Sequence, residues 1–464
     1  MNDLHWMTVE EATQAIAARK LSPVELMKAL LERIGRLDPK LNTFIRLDGD
    51  AAMDAAMAAE AEIASGHQRG ALHDVPVGIK DIIDVGGLPT TCHSKLLVDN
   101  VASADAVCVS RLRGAGAIVL GKLSTHEFAI GGPSFDLPWP PARNPWNTDH
   151  HPGGSSSGSG SGLAAGLFPM ALGSDTGGSV RNPASACGIV GLKPTYGLVS
   201  RRGVFPLSFT LDHVGPMTRT VADNALMLEI IAGHDPLDPG SVAASAGHYE
   251  TKLERGVRGL RIGYIRHFHE EDMPADAEVT AALEHVASTL QKLGAGIRDV
   301  RLPILGEFAA VNRVILQSEA WAIHGQWLRE RPEDYGQLAR RRLISGAFLS
   351  AGDYVQAGRR RLEMISAVEA ALREVDILLC ASAMDPPSRI DDPAAVERTY
   401  PRQARTPFNV TGHPALAMMS GLSSSGLPLS VQFVGHNFAE ATLFQVAREW
   451  ERAAGTHNSH PRLE

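Results

Sequence analysis

A layered α/β domain is what this amino-acid sequence predicts: a central mixed, mostly parallel β-sheet flanked by helices, in an α/β/α arrangement built as one unit. Three observations carry that expectation. Short apolar runs alternate with longer helix-period stretches, most regularly after about residue 235, and such alternation favours strands joined through helices. The composition, 44% hydrophobic and 21% charged, is that of a packed globular chain. No low-complexity linker or internal repeat divides the 464 residues, so one domain is expected even though length alone allows two to four.

The elements follow in order. Residues 1–65 read as helices: Thr8 to Glu11 and Ser22 to Glu25 have capping-box form, the second with Pro23 at the first helical position. Leu26, Ala29, Leu30 and Ile34 then recur at helical spacing. Residues 66–235 form the next segment. It holds strand-like Val75 to Ile79, a helix over Ala104 to Gly114 and a buried strand over Ala117 to Leu120. Residues 131–154, rich in Pro, Trp and Asn, read as an ordered loop. Met170 to Leu172 and Ile189 to Leu192 are short apolar runs, and Thr220 to Ala232 a capped helix. Residues 236–374 form a helical region, with a strand at Leu260 to Ile265 and helices over Ala277 to Leu293 and most of 306–374. The last segment, 375–464, carries strands at Ile377 to Cys380 and Leu429 to Gly435 and a closing helix, Ala439 to Ala453.

Charge and cysteine content exclude several classes. The net charge is −8 with no long basic run, so neither a phosphate-tracking surface nor a nucleic-acid partner is expected. The four cysteines, Cys92, Cys108, Cys187 and Cys380, form no C-x-x-C pair and are too scattered for a disulfide framework, which suits reduced thiols in a cytoplasmic protein. No signal-peptide pattern opens the chain and no apolar run reaches membrane-spanning length. His150-His151 and His267-x-His269 lack a third ligand at helical spacing, so no metal is expected.

Chemistry concentrates between residues 152 and 195. The stretch begins P-G-G-S-S-S-G-S-G-S-G, which by itself also fits a flexible linker, and continues to G-S-D-T-G-G-S-V-R-N-P-A. Small residues ahead of Ser179 let backbone N–H groups converge on one point, as an oxyanion hole requires. A serine there needs only a base to act as a nucleophile. Upstream, Lys80 ends the apolar run V-P-V-G-I. Burial lowers an ammonium's pKa and makes lysine usable as a general base, although a salt bridge to neighbouring Asp81 fits the spacing as well.

These motifs resemble the amidase signature family: V-P-V-G-I-K-D, G-G-S-S-x-G-S, G-S-D-T-G-G-S-x-R-x-P-A and G-L-K-P-T, then L-D-H-V-G-P-M-T-R-T-V-A-D, T-P-F-N-V-T-G-H-P-A-L and G-L-P-L-S-V-Q-F-V-G. The likeness covers nearly the whole chain and thins between about 235 and 370. It implies the amidase signature fold and a Ser-Ser-Lys triad: Ser179 as nucleophile, Ser155 as bridging serine after a cis Gly154–Ser155 peptide, and Lys80 as base. The N–H groups of Thr176, Gly177, Gly178 and Ser179 would form the oxyanion hole, with Ser156, Asp175 and Arg181 supporting it by hydrogen bonds. The implied reaction is hydrolysis of a carboxamide, ester or carbamate (urethane) through an acyl-enzyme, on a small-molecule amide substrate and without any cofactor.

Departures from the family pattern bear on substrate. Ser157 stands where many members have glycine, and Cys380-Ala381-Ser382 replaces a T-P-T-like segment near the acyl pocket. The 131–146 loop is more apolar than the version expected of the glutamine-using member of the tRNA amidotransferases, which favours a stand-alone hydrolase of hydrophobic or aryl amides. Its pocket walls are then expected from Phe128, Ile130, Gly131, Gly132, Phe135, Leu137, Trp139 and Cys380. The alternative is a glutaminase-type subunit of a tRNA-dependent amidotransferase, delivering ammonia to a partner chain. A homodimer is the default expectation. Two rival motifs fail: G-S-S-S-G does not follow an apolar strand, as a nucleophile elbow must, and G-A-I-V-L-G-K is followed by Leu123 rather than the Ser or Thr of a phosphate loop.

Overall fold

The computed structural model describes residues 3–67, 69–244 and 247–463. Among them eleven strands form one sheet: β1 (Phe44–Leu47), β2 (Pro76–Lys80), β3 (Ile118–Leu123), β4 (Met170–Asp175), β5 (Val190–Lys193), β6 (His213–Thr218), β7 (Arg261–Tyr264), β8 (Gly296–Asp299), β9 (Ile377–Ala381), β10 (Ala415–Leu422) and β11 (Pro428–Gly435). Their order across the sheet is β1-β3-β2-β4-β6-β5-β10-β11-β9-β7-β8. Helices cover both faces, and the strand residues alternate between them. Met170 and Leu172 point into one apolar cluster and Ala171 into the other, as a period of two requires.

The sheet is mixed, as expected, but its parallel pairings lie towards the flanks: β2 with β3 and β4, and β7 with β8 and β9. The centre, β4-β6-β5-β10-β11-β9, is antiparallel. For β10 and β11 the reason is local. β10 and β11 are joined by a tight turn in which Ser423 N donates to Leu427 O, at 2.8 Å, and so short a connection can return a chain only antiparallel.

Three of these strands have weak signatures. β1 lies within the stretch read as helices, because its residues are half exposed or exposed at the sheet edge. β6 carries Pro216, which normally argues against an inner strand. Here pairing with β5 is confined to Met217 and Thr218, so Pro216 forfeits no ladder bond on that side. β10, A-L-A-M-M-S-G-L, carries none of the β-branched or aromatic residues that favour strands.

The Gly/Ser stretch is a buried helix, Ser157–Ala164. A Cβ on Gly160 would come within 2.6 Å of Pro183, and one on Gly158 or Gly162 would overlap the Thr43 carbonyl or the Phe168 ring. Its glycines are there for close approach, not flexibility.

Candidate active site

Lys80 closes β2, with its side chain wholly buried between β3 and β4. Its Nζ donates to Ser155 Oγ at 2.7 Å and to Ser174 Oγ at 2.8 Å. The neighbouring Asp81 does not pair with it; Asp81 is bridged at 2.9 Å to Lys122, itself buried on β3. Burial, only partly opposed by the Asp175 and Asp212 charges, lowers the Lys80 pKa to about 7. That shift decides what the amine can do. At pH 7.5 an ordinary lysine is neutral about one time in a thousand, whereas one with this pKa is mostly neutral.

The Gly154–Ser155 peptide is cis, and Ser155 is held on both sides: its carbonyl accepts from His126 N (3.1 Å) and Ser157 N (2.8 Å). Any side chain on Gly154 would overlap the His126 ring. Burial, and then the Lys80 charge, holds that imidazole well below its ordinary pKa. Ser156 donates to Ser174 O at 3.3 Å and accepts from Ser174 N at 3.2 Å, which locks this loop to the end of β4.

The second glycine cluster turns around Asp175. Burial pushes this carboxyl upward, but the Arg181 guanidinium and the Asn409 amide more than offset it, and the group stays well below the usual carboxylate range. Arg181 grips Asp175 through two bonds, Nε to Oδ2 at 3.0 Å and Nη2 to Oδ1 at 2.9 Å, and reaches on to Gln432 on β11 at 2.6 Å. Asp175 also accepts from Gly178 N at 2.8 Å. That alters the expected oxyanion nest: the Gly178 N–H is already spoken for, while those of Gly177 and Ser179 donate to no acceptor among the described residues. The Thr176 hydroxyl donates to Asp212 at 2.6 Å and its carbonyl accepts from Asn312 at 3.2 Å. Gly178 has φ +125°, and a Cβ there would lie 2.6 Å from Arg405 Nε, so no other residue fits.

Ser155, Ser179 and the Thr176–Gly178 turn open together into a cavity of about 260 Å³. A second cavity, about 450 Å³, lies across a wall shared through Ala129, Thr176 and Leu207, and reaches Ser174 beside Lys80.

The family model described as Amidase matches residues 25–444. The chain belongs to the amidase signature family, whose enzymes hydrolyse amide C–N bonds. The glutamyl-tRNA(Gln) amidotransferase A subunit of Chloroflexus aurantiacus is 37% identical over 491 aligned positions, spanning 100% of both chains. Among solved structures, a chain from a vestigial protein complex bearing on the origins of an s-triazine catabolic enzyme is 32% identical, with TM-score 0.90, covering 99% of this chain and 100% of that one. The peptide amidase of Stenotrophomonas maltophilia is 30% identical with TM-score 0.87, covering 99% of each chain. Both the family and the single α/β domain with a large mixed sheet thus agree with the sequence reading.

In this amidase signature chain the cavity wall differs from the expected one. Ile130 and Gly131 line it; Phe128, Gly132, Phe135, Leu137, Trp139 and Cys380 are not among its lining residues. Phe128 points into an aromatic cluster with Phe205, His324 and Tyr335. Phe135 is 57% exposed and covered on one face by Arg143. The Trp139 ring packs edge-on against His93. Leu137 faces Gly336, and Gly132 faces Leu338. Cys380 is sealed on β9 under the Gln432 amide.

The wall instead comes from the helices Leu305–Glu330 and Gln337–Leu343, which bring Asn312, Arg313, Gln317 and Arg342, and from the segment around Tyr400 to Thr406. Apart from T-P-F-N, which begins at Thr406, no motif marks these residues. Ser174 was legible in principle, since it sits inside G-S-D-T-G-G-S. Elsewhere His269, Glu270 and Glu284 come together closely enough to hold a metal, but Glu284 is engaged by Arg266. No helix among the described residues is long and apolar enough to cross a membrane.

Proposed function

We propose that this chain cleaves the C–N bond of a small polar carboxamide by an acyl-enzyme route, with Ser179 as nucleophile, Ser155 as proton relay and Lys80 as base. One observation carries the reading: a fully buried lysine with pKa about 7, unpaired with any carboxylate among the described residues, sits 2.7 Å from a serine that shares a cavity with Ser179. Neutral Lys80 takes the Ser155 proton while Ser155 takes that of Ser179, and Ser179 Oγ adds to the carbonyl carbon. The negative charge that develops on oxygen faces the free N–H groups of Gly177 and Ser179. As the C–N bond breaks, Ser155 returns a proton to the nitrogen, which leaves as ammonia or an amine. Water then adds to the acyl-enzyme by the same relay, and the carboxylic acid departs with Ser179 restored.

The hydrophobic or aryl amide expected from the 131–146 loop loses its support, because most of that loop's large apolar side chains do not line the cavity. A cavity of about 260 Å³ also falls just under the ~300–1,000 Å³ of drug-sized pockets. A second reading is favoured by the full-length likeness to the tRNA amidotransferase chain: an ammonia-releasing, glutaminase-type protein that serves a partner chain rather than a free-standing homodimer. Ammonia release from glutamine and other primary amides, beside nitroaniline release from acyl anilides, tests both. Turnover is expected on primary amides and lost in Ser179→Ala. Rates that survive Ser179→Ala overturn the nucleophile assignment, and preference for anilides restores the aryl reading.

A further inference from the structure

The cavity that holds Ser179 has an unusual charge balance. Arg313, Arg342 and Arg405 all line it, and among the described residues no Asp or Glu does. Elsewhere in the molecule arginines are commonly matched. Arg341, next in sequence to Arg342, is bridged to Glu397 at 3.0 Å, and Arg360 bonds both Glu307 and Glu363. The three cavity arginines have no carboxylate within salt-bridge reach among the described residues. They come from three separate elements, so their convergence is not the solvated stripe of one helix. Arg313 lies on Leu305–Glu330, Arg342 on Gln337–Leu343, and Arg405 just ahead of Thr406–Thr411.

The three guanidinium groups differ in setting, and that of Arg313 is exposed. Arg405 is buried beneath Gly178; its Nη1 donates to Ser382 O at 2.9 Å and its Nε has no partner among the described residues. Arg342 is half-buried, and its side chain makes no hydrogen bond to described residues. Burial, and the repulsion of Arg341 and Arg313, disfavour its charge, relieved only in part by Tyr400 and Glu397. Tyr400 adds a hydroxyl and extends the wall towards the nucleophile, since its ring lies 5.9 Å from that of His126, which backs Gly154. Unpaired cations facing a small, partly enclosed volume focus a positive potential into it. A planar carboxylate is the partner a guanidinium fork fits.

We infer that the substrate is a small anionic carboxamide whose carboxylate is held by Arg342 and Arg313 beside Tyr400, and which carries no ammonium group of its own. The absence of an acidic wall supplies the second half of the statement: an α-ammonium would enter a positive cavity with no counter-charge. The inference rests on the acyl-enzyme reading above and adds the charge class of the acyl portion. It also separates the two functional readings, because glutamine carries both a carboxylate and an ammonium.

Matched amides test it. Malonamate, succinamate and glutaramate supply the carboxylate at three distances from the scissile amide, butyramide and pentanamide lack it, and glutamine differs from glutaramate only by its ammonium group. Ammonia release by the full-length protein should give a kcat/KM for the best carboxylate amide at least tenfold above its neutral partner, and glutaramate should exceed glutamine. Arg342→Gln should collapse the anionic-to-neutral ratio towards unity, as loss of a charged hydrogen bond does. Arg313→Gln should lower it less, and Arg342→Lys should restore part of it. The ratio carries the test, because a variant that merely misfolds lowers both rates together. Calorimetric binding of the same compounds to Ser179→Ala gives a readout without turnover.

Equal or better turnover of neutral amides, a ratio untouched by Arg342→Gln, glutamine preferred over glutaramate, or no carboxylate amide bound by Ser179→Ala would each overturn the inference. None of these touches the acyl-enzyme reading, which fails only if Ser179→Ala keeps its rate.

Discussion

The end of β2 and the two glycine clusters form one region of the site, and the helices between Leu305 and Leu343 form another; they are built on different physical terms. In the first, nearly every polar group is buried and matched. Lys80 meets two serines, Asp175 meets Arg181, and Ser156 meets the backbone of Ser174. In the second, side chains reach the cavity from a surface layer and several remain unmatched: Arg313 is exposed and Arg342 half-buried, each without a carboxylate partner among the described residues. A network with nearly every bond made has few geometries and suits a fixed reaction. Unmatched groups on peripheral helices leave their bonding capacity for a substrate, and can change without disturbing the proposed relay.

That contrast can be broken by substitution. Lys80→Met removes the proposed base from the matched region, and ammonia release should fall by about 10⁴-fold or more. Combined with Ser179→Ala the loss should be no deeper than for Ser179→Ala alone, because groups acting as a unit are not additive. A deeper loss in the double variant would mean that Lys80 acts independently of Ser179.

Acidity probes the same group without mutation. In the proposed reaction Lys80 acts as the neutral amine, so kcat/KM should be level above pH 7 and fall about tenfold per unit below it, following the pKa of about 7. The sign is fixed: protonation below that value removes the lone pair. A profile flat from pH 5 to 8 would remove Lys80 as the base.

Asn312 sits at the join between the two regions, its amide donating to Thr176 O at 3.2 Å. Asn312→Ala should cost about tenfold in kcat/KM, as loss of one neutral hydrogen bond would, with an unchanged acid limb. A shift of that limb would show that the variable helix tunes the base as well as the wall.

Phe135 should do nothing. At 57% exposure, Phe135→Ser should leave kcat/KM within about twofold. A larger effect would return the 131–146 loop to the substrate path.

What was legible in the sequence follows the same division. Lys80, Ser155, Asp175 and Ser179 sit in contiguous runs, where strand ends and small residues leave few geometries, so local reading places them together. Arg342 and Tyr400 carry no such mark; an arginine in a helical run such as Arg340 to Arg342 reads as a solvated face until the fold turns it inward. The apolar identity of Phe135 and Trp139 suggested a pocket wall, yet side-chain type does not reveal which way a proline-rich loop faces. The proposed oxyanion nest was half legible: the glycines were visible, but not that Asp175 would capture one of their N–H groups. The sheet's parallel strands came through alternation with helices, while its antiparallel centre depends on a hairpin with little strand character in β10.

The helix Ser157–Ala164 has a consequence for how this protein can change over generations. With backbone or rings pressed against Gly158, Gly160 and Gly162, even a methyl group has nowhere to go, so these three positions are closed to drift although the stretch reads as spacer. A library of single substitutions should find it among the least tolerant segments of the chain, and the Arg313 and Arg342 helices among the more permissive. New substrate preferences would then arise by exchanging residues on the outer helices over an unvarying floor.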